Sequence, residues 1–232
     1  MWERTKLRLR IRLAKLGLAR FLSHLDFQRV VERGLRRAGL PLAFTQGFNP
    51  HPRISYASAL ATGTSSEGEF IDVDLTEPVE PEAFVSRANA ALPADVRLLE
   101  ARPAPEGGES LMALVNAAEY RLTLQGADEE ALRQAVARFL EAEQVVVTRE
   151  GPAGSRSVDI RPHVYSLAVE GPGELRALVQ TGSAGNVRPD EVVAGLIRCA
   201  PDLAGVELAL AHRLMLYRRD PETGICAEPW SL

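Results

Sequence analysis

The sequence predicts an α+β fold made of two tandem β-α-β-β-α-β units, each an antiparallel sheet with both helices on one face. Three observations predict it. Charged and apolar residues alternate over residues 6–14, which is the period of a half-buried strand. An amphipathic helical pattern follows at once over 24–38. The same succession of short strands and helices then restarts after a stretch rich in Pro, Gly and Glu. This order is the split β-α-β, or ferredoxin-like, unit, whose second sheet face is open to a ligand.

Each element has its own reason. In residues 6–14, Lys6, Arg8, Arg10 and Arg12 point one way and Leu7, Leu9, Ile11 and Leu13 the other, giving a row of positive charge on one face. Ser23 stands as an N-cap with Asp26 three residues on. Phe27, Val30, Val31, Gly34, Leu35 and Ala38 then make one apolar helix face, with Arg29, Arg33, Arg36 and Arg37 away from it. Gly39 and Pro41 end that helix. Residues 45–53 carry a glycine and two prolines, which exclude helix and central strand. Residues 54–60 read as a strand, 63–68 as a turn-rich loop, 69–75 as a strand, 81–92 as a helix and 96–100 as a strand. The first domain is placed at 1–104, a linker at 105–116, the second domain at 117–219 and a polar tail at 220–232. The second domain reads as a strand at 119–124, a helix at 128–142, short strands at 145–149, 157–160, 164–169 and 175–180, a helix at 189–199 and a closing strand at 206–212. That is one strand or hairpin more than the unit requires.

Composition bounds the function. With 46% hydrophobic and 25% charged residues, the 232-residue chain is ordinary for a globular protein. No run approaches about 18 apolar residues, so a membrane span is not expected. The opening residues 1–4 lack an apolar signal core, and the expected compartment is the cytoplasm. Cys199 and Cys226 form no CxxC or metal-spaced cluster, so neither a metal nor a cofactor site is expected. P-loop, GxGxxG and nucleophile-elbow patterns are missing as well. The charge is polarised: residues 1–53 hold 12 Lys/Arg against 3 Asp/Glu, although the whole chain is −4. A partner feels local potential, so an anion, with nucleic acid foremost, is expected at the amino end.

Four groups of residues carry chemistry. Arg8, Arg10 and Arg12 on the strand, Arg20, and Arg29, Arg33, Arg36 and Arg37 on the helix suit a phosphate backbone; the competing reading is a solvated face with Asp26–Arg29 and Glu32–Arg36 pairs. Ser23 and His24 sit at a helix start, where an anion can be held, or where they simply cap the helix. In the loop, Phe48 can stack on a base, Gln46 and Asn49 can read base edges, and His51 and Arg53 add polar and cationic reach. The competing reading buries Phe48 and makes the loop a structural turn. Finally, Arg161 reads as pairing Asp159 within its motif or reaching across the domain interface, with the structural reading leading, and Asp72 and Asp74 read as a solvated strand face rather than a cation site.

The run Arg20-Phe21-Leu22-Ser23-His24-Leu25-Asp26, with Arg29, Arg36-Arg37-Ala38, Pro41, Gln46-Gly47-Phe48-Asn49-Pro50-His51-Pro52, Ser55 and Val158-Asp159-Ile160-Arg161-Pro162, resembles the uncharacterised bacterial family DUF2344, found beside or fused to radical-SAM enzymes. The resemblance implies a radical-SAM partner and a setting in RNA metabolism. The chain has no CxxxCxxC cluster, so any radical step belongs to that partner. The leading expectation is a non-catalytic RNA-binding accessory protein, for tRNA or rRNA. The alternatives are a metal-independent endoribonuclease with His24 or His51 as general base, and a protein adaptor for the radical-SAM partner.

Overall fold

The computed structural model describes residues 7–105, 109–151, 154–182 and 184–231. Residues 1–4, Lys6 and residues 106–108 of the expected linker lie outside them. The fold is α+β with antiparallel pairing, and the chain divides into two compact units. One runs to Val115 and resumes at Met215; the other is Asn116–Leu214.

The first unit contains β1 (Leu7–Lys15), α1 (His24–Arg37), β2 (Ile54–Tyr56), β3 (Ser65–Leu75), α2 (Pro81–Ala91), β4 (Val96–Pro103) and α3 (Leu111–Leu114). Antiparallel pairing gives the order β4-β1-β3-β2. The apolar sides of β1 and β3 (Leu9, Ile11, Leu13, Ile71, Val73) pack with Phe27, Val31 and Leu35 of α1 and Phe84 and Ala88 of α2. Burial of this set supplies the main drive to fold. Gly34 permits the close approach of the helices: a Cβ there would lie 2.3 Å from Leu92 Cδ2. Arg87 of α2 donates to the carbonyls of Ala38 and Gly39 beyond α1, while Arg37 donates to the Ala91 carbonyl at the end of α2. Each helix thus has a carbonyl at or just beyond its C-terminal end bonded by an arginine of the other.

The second unit contains β5 (Ala117–Gln125), α4 (Glu129–Glu141), β6 (Val146–Arg149), β7 (Arg156–Asp159), β8 (Val164–Gly171), β9 (Glu174–Gln180), α5 (Pro189–Cys199) and the first part of β10 (Glu207–Arg219). Its order is β10-β5-β9-β8, and β6 and β7 form a separate hairpin, the extra element expected there. Asp159 accepts from the amides of Val145 and Arg161, and the Arg161 guanidinium donates to the carbonyls of Leu140 and Val164. That motif is a structural clasp.

Several expected boundaries differ. Residues 64–68, read as a turn, lie mostly within β3, where Ser65 and Ser66 are buried although polar. The strand expected over 54–60 pairs only at Ile54–Tyr56. The expected linker contains α3, whose Leu111 and Leu114 are buried in the first unit. The closing strand continues past His212 to Arg219. The polar tail returns to the first unit, where β11 (Cys226–Ala227) pairs with Arg218 and Arg219 and Trp230 is buried. β3 is buried on both faces except at Glu67, so along this strand the expected open sheet face is covered.

Among the described residues, no helix is long and apolar enough to cross a membrane, and no group of three or more His, Cys, Asp or Glu is placed to hold a metal.

Candidate functional site: a helix and an aromatic hairpin

The strand arginines do not form an exposed cationic row. Register sets Arg8, Arg10 and Arg12 of β1 opposite Asp74, Asp72 and Phe70 of β3. Arg10 and Asp72, with side chains 3% and 4% exposed, form a bidentate pair at 2.9 and 3.1 Å. Arg8 lies 2.6 Å from Asp74, which favours its charged form, and Arg12 lies 3.8 Å from Glu100. Asp72 and Asp74 are therefore buried counter-ions and not a solvated face. A buried arginine left without its carboxylate would be costly, so these pairs hold the sheet together and leave little charge for phosphate.

What remains exposed lies along α1 and the segment after it. Ser23 caps the helix by accepting from the Asp26 amide at 3.1 Å, and its hydroxyl donates to the Asp26 carboxylate at 2.7 Å. This hydroxyl first, and then Arg29, lower the Asp26 pKa below the ordinary carboxylate value. Arg29 is spent partly on Asp26 at 2.8 Å, and Arg36 reaches Glu32 at 3.6 Å. Arg37 is committed to the end of α2. Arg33 is exposed, and Arg20 lies 4.7 Å from the Phe21 ring centroid.

His24 is half-buried. Its Nε2 lies 2.9 Å from Gln28 Nε2, and its ring meets Tyr56 edge-on at 5.6 Å. The Tyr56 hydroxyl is buried without a hydrogen-bond partner, and burial, together with Glu32, pushes its pKa up. His24, Gln28, Glu32 and Arg36 recur every four residues and make one ridge of α1. Tyr56 packs at the start of that ridge, and Phe44, 5.9 Å from the Arg36 guanidinium, at its end. Sequence periodicity placed neither aromatic there; their flanking of the loop was the available signal.

The loop is a small hairpin. Phe44 bridges Pro52, the Thr45 amide donates to the His51 carbonyl at 2.9 Å, and the Arg53 amide donates to the Ala43 carbonyl at 2.8 Å. The Thr45 hydroxyl also accepts from the His51 amide at 3.0 Å. Gly47, at φ 127°, makes the reversal that a side chain would strain. Gln46, Phe48, Asn49, His51 and Arg53 are all exposed, and Phe48 is 106% exposed, so its ring is wholly free of the core. Arg53 Nε lies 3.7 Å from Asp74. Nearby in sequence, Leu18, Phe21 and Leu25 are 77%, 55% and 61% exposed.

The model of a family described as an uncharacterized protein conserved in bacteria (DUF2344) matches residues 8–189. The chain belongs to this family. No curated protein matches the sequence. Among solved structures, a chain of a Cbf5–Nop10–Gar1 complex is 14% identical, with 91% of this chain and 49% of that chain covered and a TM-score of 0.45. This chain thus spans about half of that neighbour. An unknown protein from Galdieria sulphuraria is 15% identical over 90% of this chain and 98% of that one, with a TM-score of 0.27.

Proposed function

We propose that this family member is a non-catalytic RNA-binding accessory protein built of two ferredoxin-like units and acting with a radical-SAM enzyme. The strand orders β4-β1-β3-β2 and β10-β5-β9-β8 support the two-unit description. The observation that carries the RNA reading is Phe48, a fully exposed aromatic on a hydrogen-bonded hairpin whose base packs on Arg36 of α1. An exposed ring on a preordered frame stacks on a base without first paying to organise the loop. Arg20, Arg33, Arg36 and Arg53 supply phosphate contacts around it, and Gln46 and Asn49 supply base-edge donors and acceptors. The exposed apolar side chains of Leu18, Phe21 and Leu25 are offered to the partner enzyme.

Ultraviolet crosslinking of the purified chain to RNA, followed by peptide mapping, tests this reading. Crosslinks concentrated in residues 44–53 support it, and crosslinks spread over the second unit refute it. Affinity should fall with salt at a slope of about −0.7 per phosphate contacted on a log–log plot. Salt-independent binding would argue for the adaptor reading instead.

A further inference from the structure

The sheet face opposite α1 in the first unit is a tray of alternating charge. Pairing across β4, β1 and β3 sets Glu100, Arg12 and Phe70 in one row and Arg102, Arg10 and Asp72 in the next. Trp230 lies on this tray. Its indole meets Phe70 edge-on at 5.0 Å, and the Arg102 guanidinium sits 4.6 Å from a ring centroid on the indole. A flat ring held between a guanidinium and an aromatic edge is the environment in which proteins receive an unstacked nucleobase.

The fit of the indole is incomplete. Its N–H and the Nε of Arg12 are both buried without a hydrogen-bond partner. Unpaired buried donors weaken the covered state. Indole has no acceptor atom to offer Arg12, whereas a nucleobase edge carries carbonyl oxygens and ring nitrogens. The cover is joined to this face by few backbone bonds. Its strand pairing is the two-residue β11, and Arg10 donates to the Pro229 carbonyl.

We propose that Trp230 is an intramolecular stand-in for a nucleobase, and that the strap of residues 220–230 is a displaceable cover over a second binding site for single-stranded RNA. The site rests on the RNA reading given above but uses a different face, with Arg102 as the stacking cation and Arg12 as the donor to the base edge. RNA that enters must displace the strap, so its apparent affinity is reduced by the fraction of time the strap is closed.

The test measures anisotropy of a labelled single-stranded oligoribonucleotide with the full chain and with Trp230→Ala. Removing the competitor should tighten binding by about tenfold or more, and adding Arg102→Ala should abolish that gain. In a Trp2→Phe background, where Trp230 is the one tryptophan left, its emission should shift to the red as the oligoribonucleotide is added. This readout keeps the test decisive should Trp230→Ala fail to fold. Unchanged or weaker binding by a folded Trp230→Ala chain, or an unmoved emission, overturns the strap. If Phe48→Ala weakens binding while Trp230→Ala does not tighten it, the hairpin reading survives and the strap falls. If binding tightens in Trp230→Ala and ignores Phe48→Ala, the strap survives and the hairpin reading falls. No binding by any of these chains overturns both.

Discussion

Arg10→Met separates a structural arginine from a phosphate-binding one. The Arg10 side chain is 3% exposed and its guanidinium makes two bonds to Asp72, itself 4% exposed, and one to the Pro229 carbonyl. Methionine fills much of the same volume but leaves the Asp72 carboxylate buried without its cation. Breaking a buried pair in this way costs about 3–5 kcal/mol. Replacing both partners, in Arg10→Met/Asp72→Leu, removes the stranded charge and should restore most of the loss. Urea unfolding followed by far-ultraviolet circular dichroism reports on loss of the fold that holds the pair. A single substitution costing under about 1 kcal/mol, in the range of exposed pairs, would refute the reasoning and return Arg10 to the list of ligand contacts. So would a double variant whose loss equals the sum of the two singles.

Ser23→Ala should lower stability by about 1 kcal/mol at neutral pH, since the hydroxyl caps α1. That penalty should shrink in acid: the folded Asp26 pKa is depressed, so its stabilisation is present above the ordinary carboxylate value and is lost as pH falls through the lowered one. Denaturant midpoints across a pH series check both statements.

Much of the first unit was legible because its signals are local. The alternation of β1, the Ser23 cap and the apolar spacing of α1 each depend on residues within a few positions of one another, and each appears where expected. Residues 45–53 hold no helix or central strand, as their glycine and two prolines require, and Phe48 lies outside the core. The arginine row failed for the opposite reason. Whether Arg10 faces water or Asp72 depends on strand register across 62 positions, which no local pattern carries. Ser65 and Ser66 resemble a turn by composition but are buried in a strand, where neighbouring elements outweigh propensity. Trp230 lay hidden in a tail whose composition is polar, although a single tryptophan can bury enough surface to bring such a segment home. The hairpin contacts of Tyr56 and Phe44 with the α1 ridge are likewise tertiary facts.

The most direct test of the RNA-binding account is the affinity of a single-stranded oligoribonucleotide for the native chain and for Phe48→Ala, compared at low salt. Because Phe48 touches no core, its removal should leave the unfolding midpoint in place while weakening binding by about 1–3 kcal/mol, the value of one stacked base. Equal affinities for the two folded proteins would contradict the account.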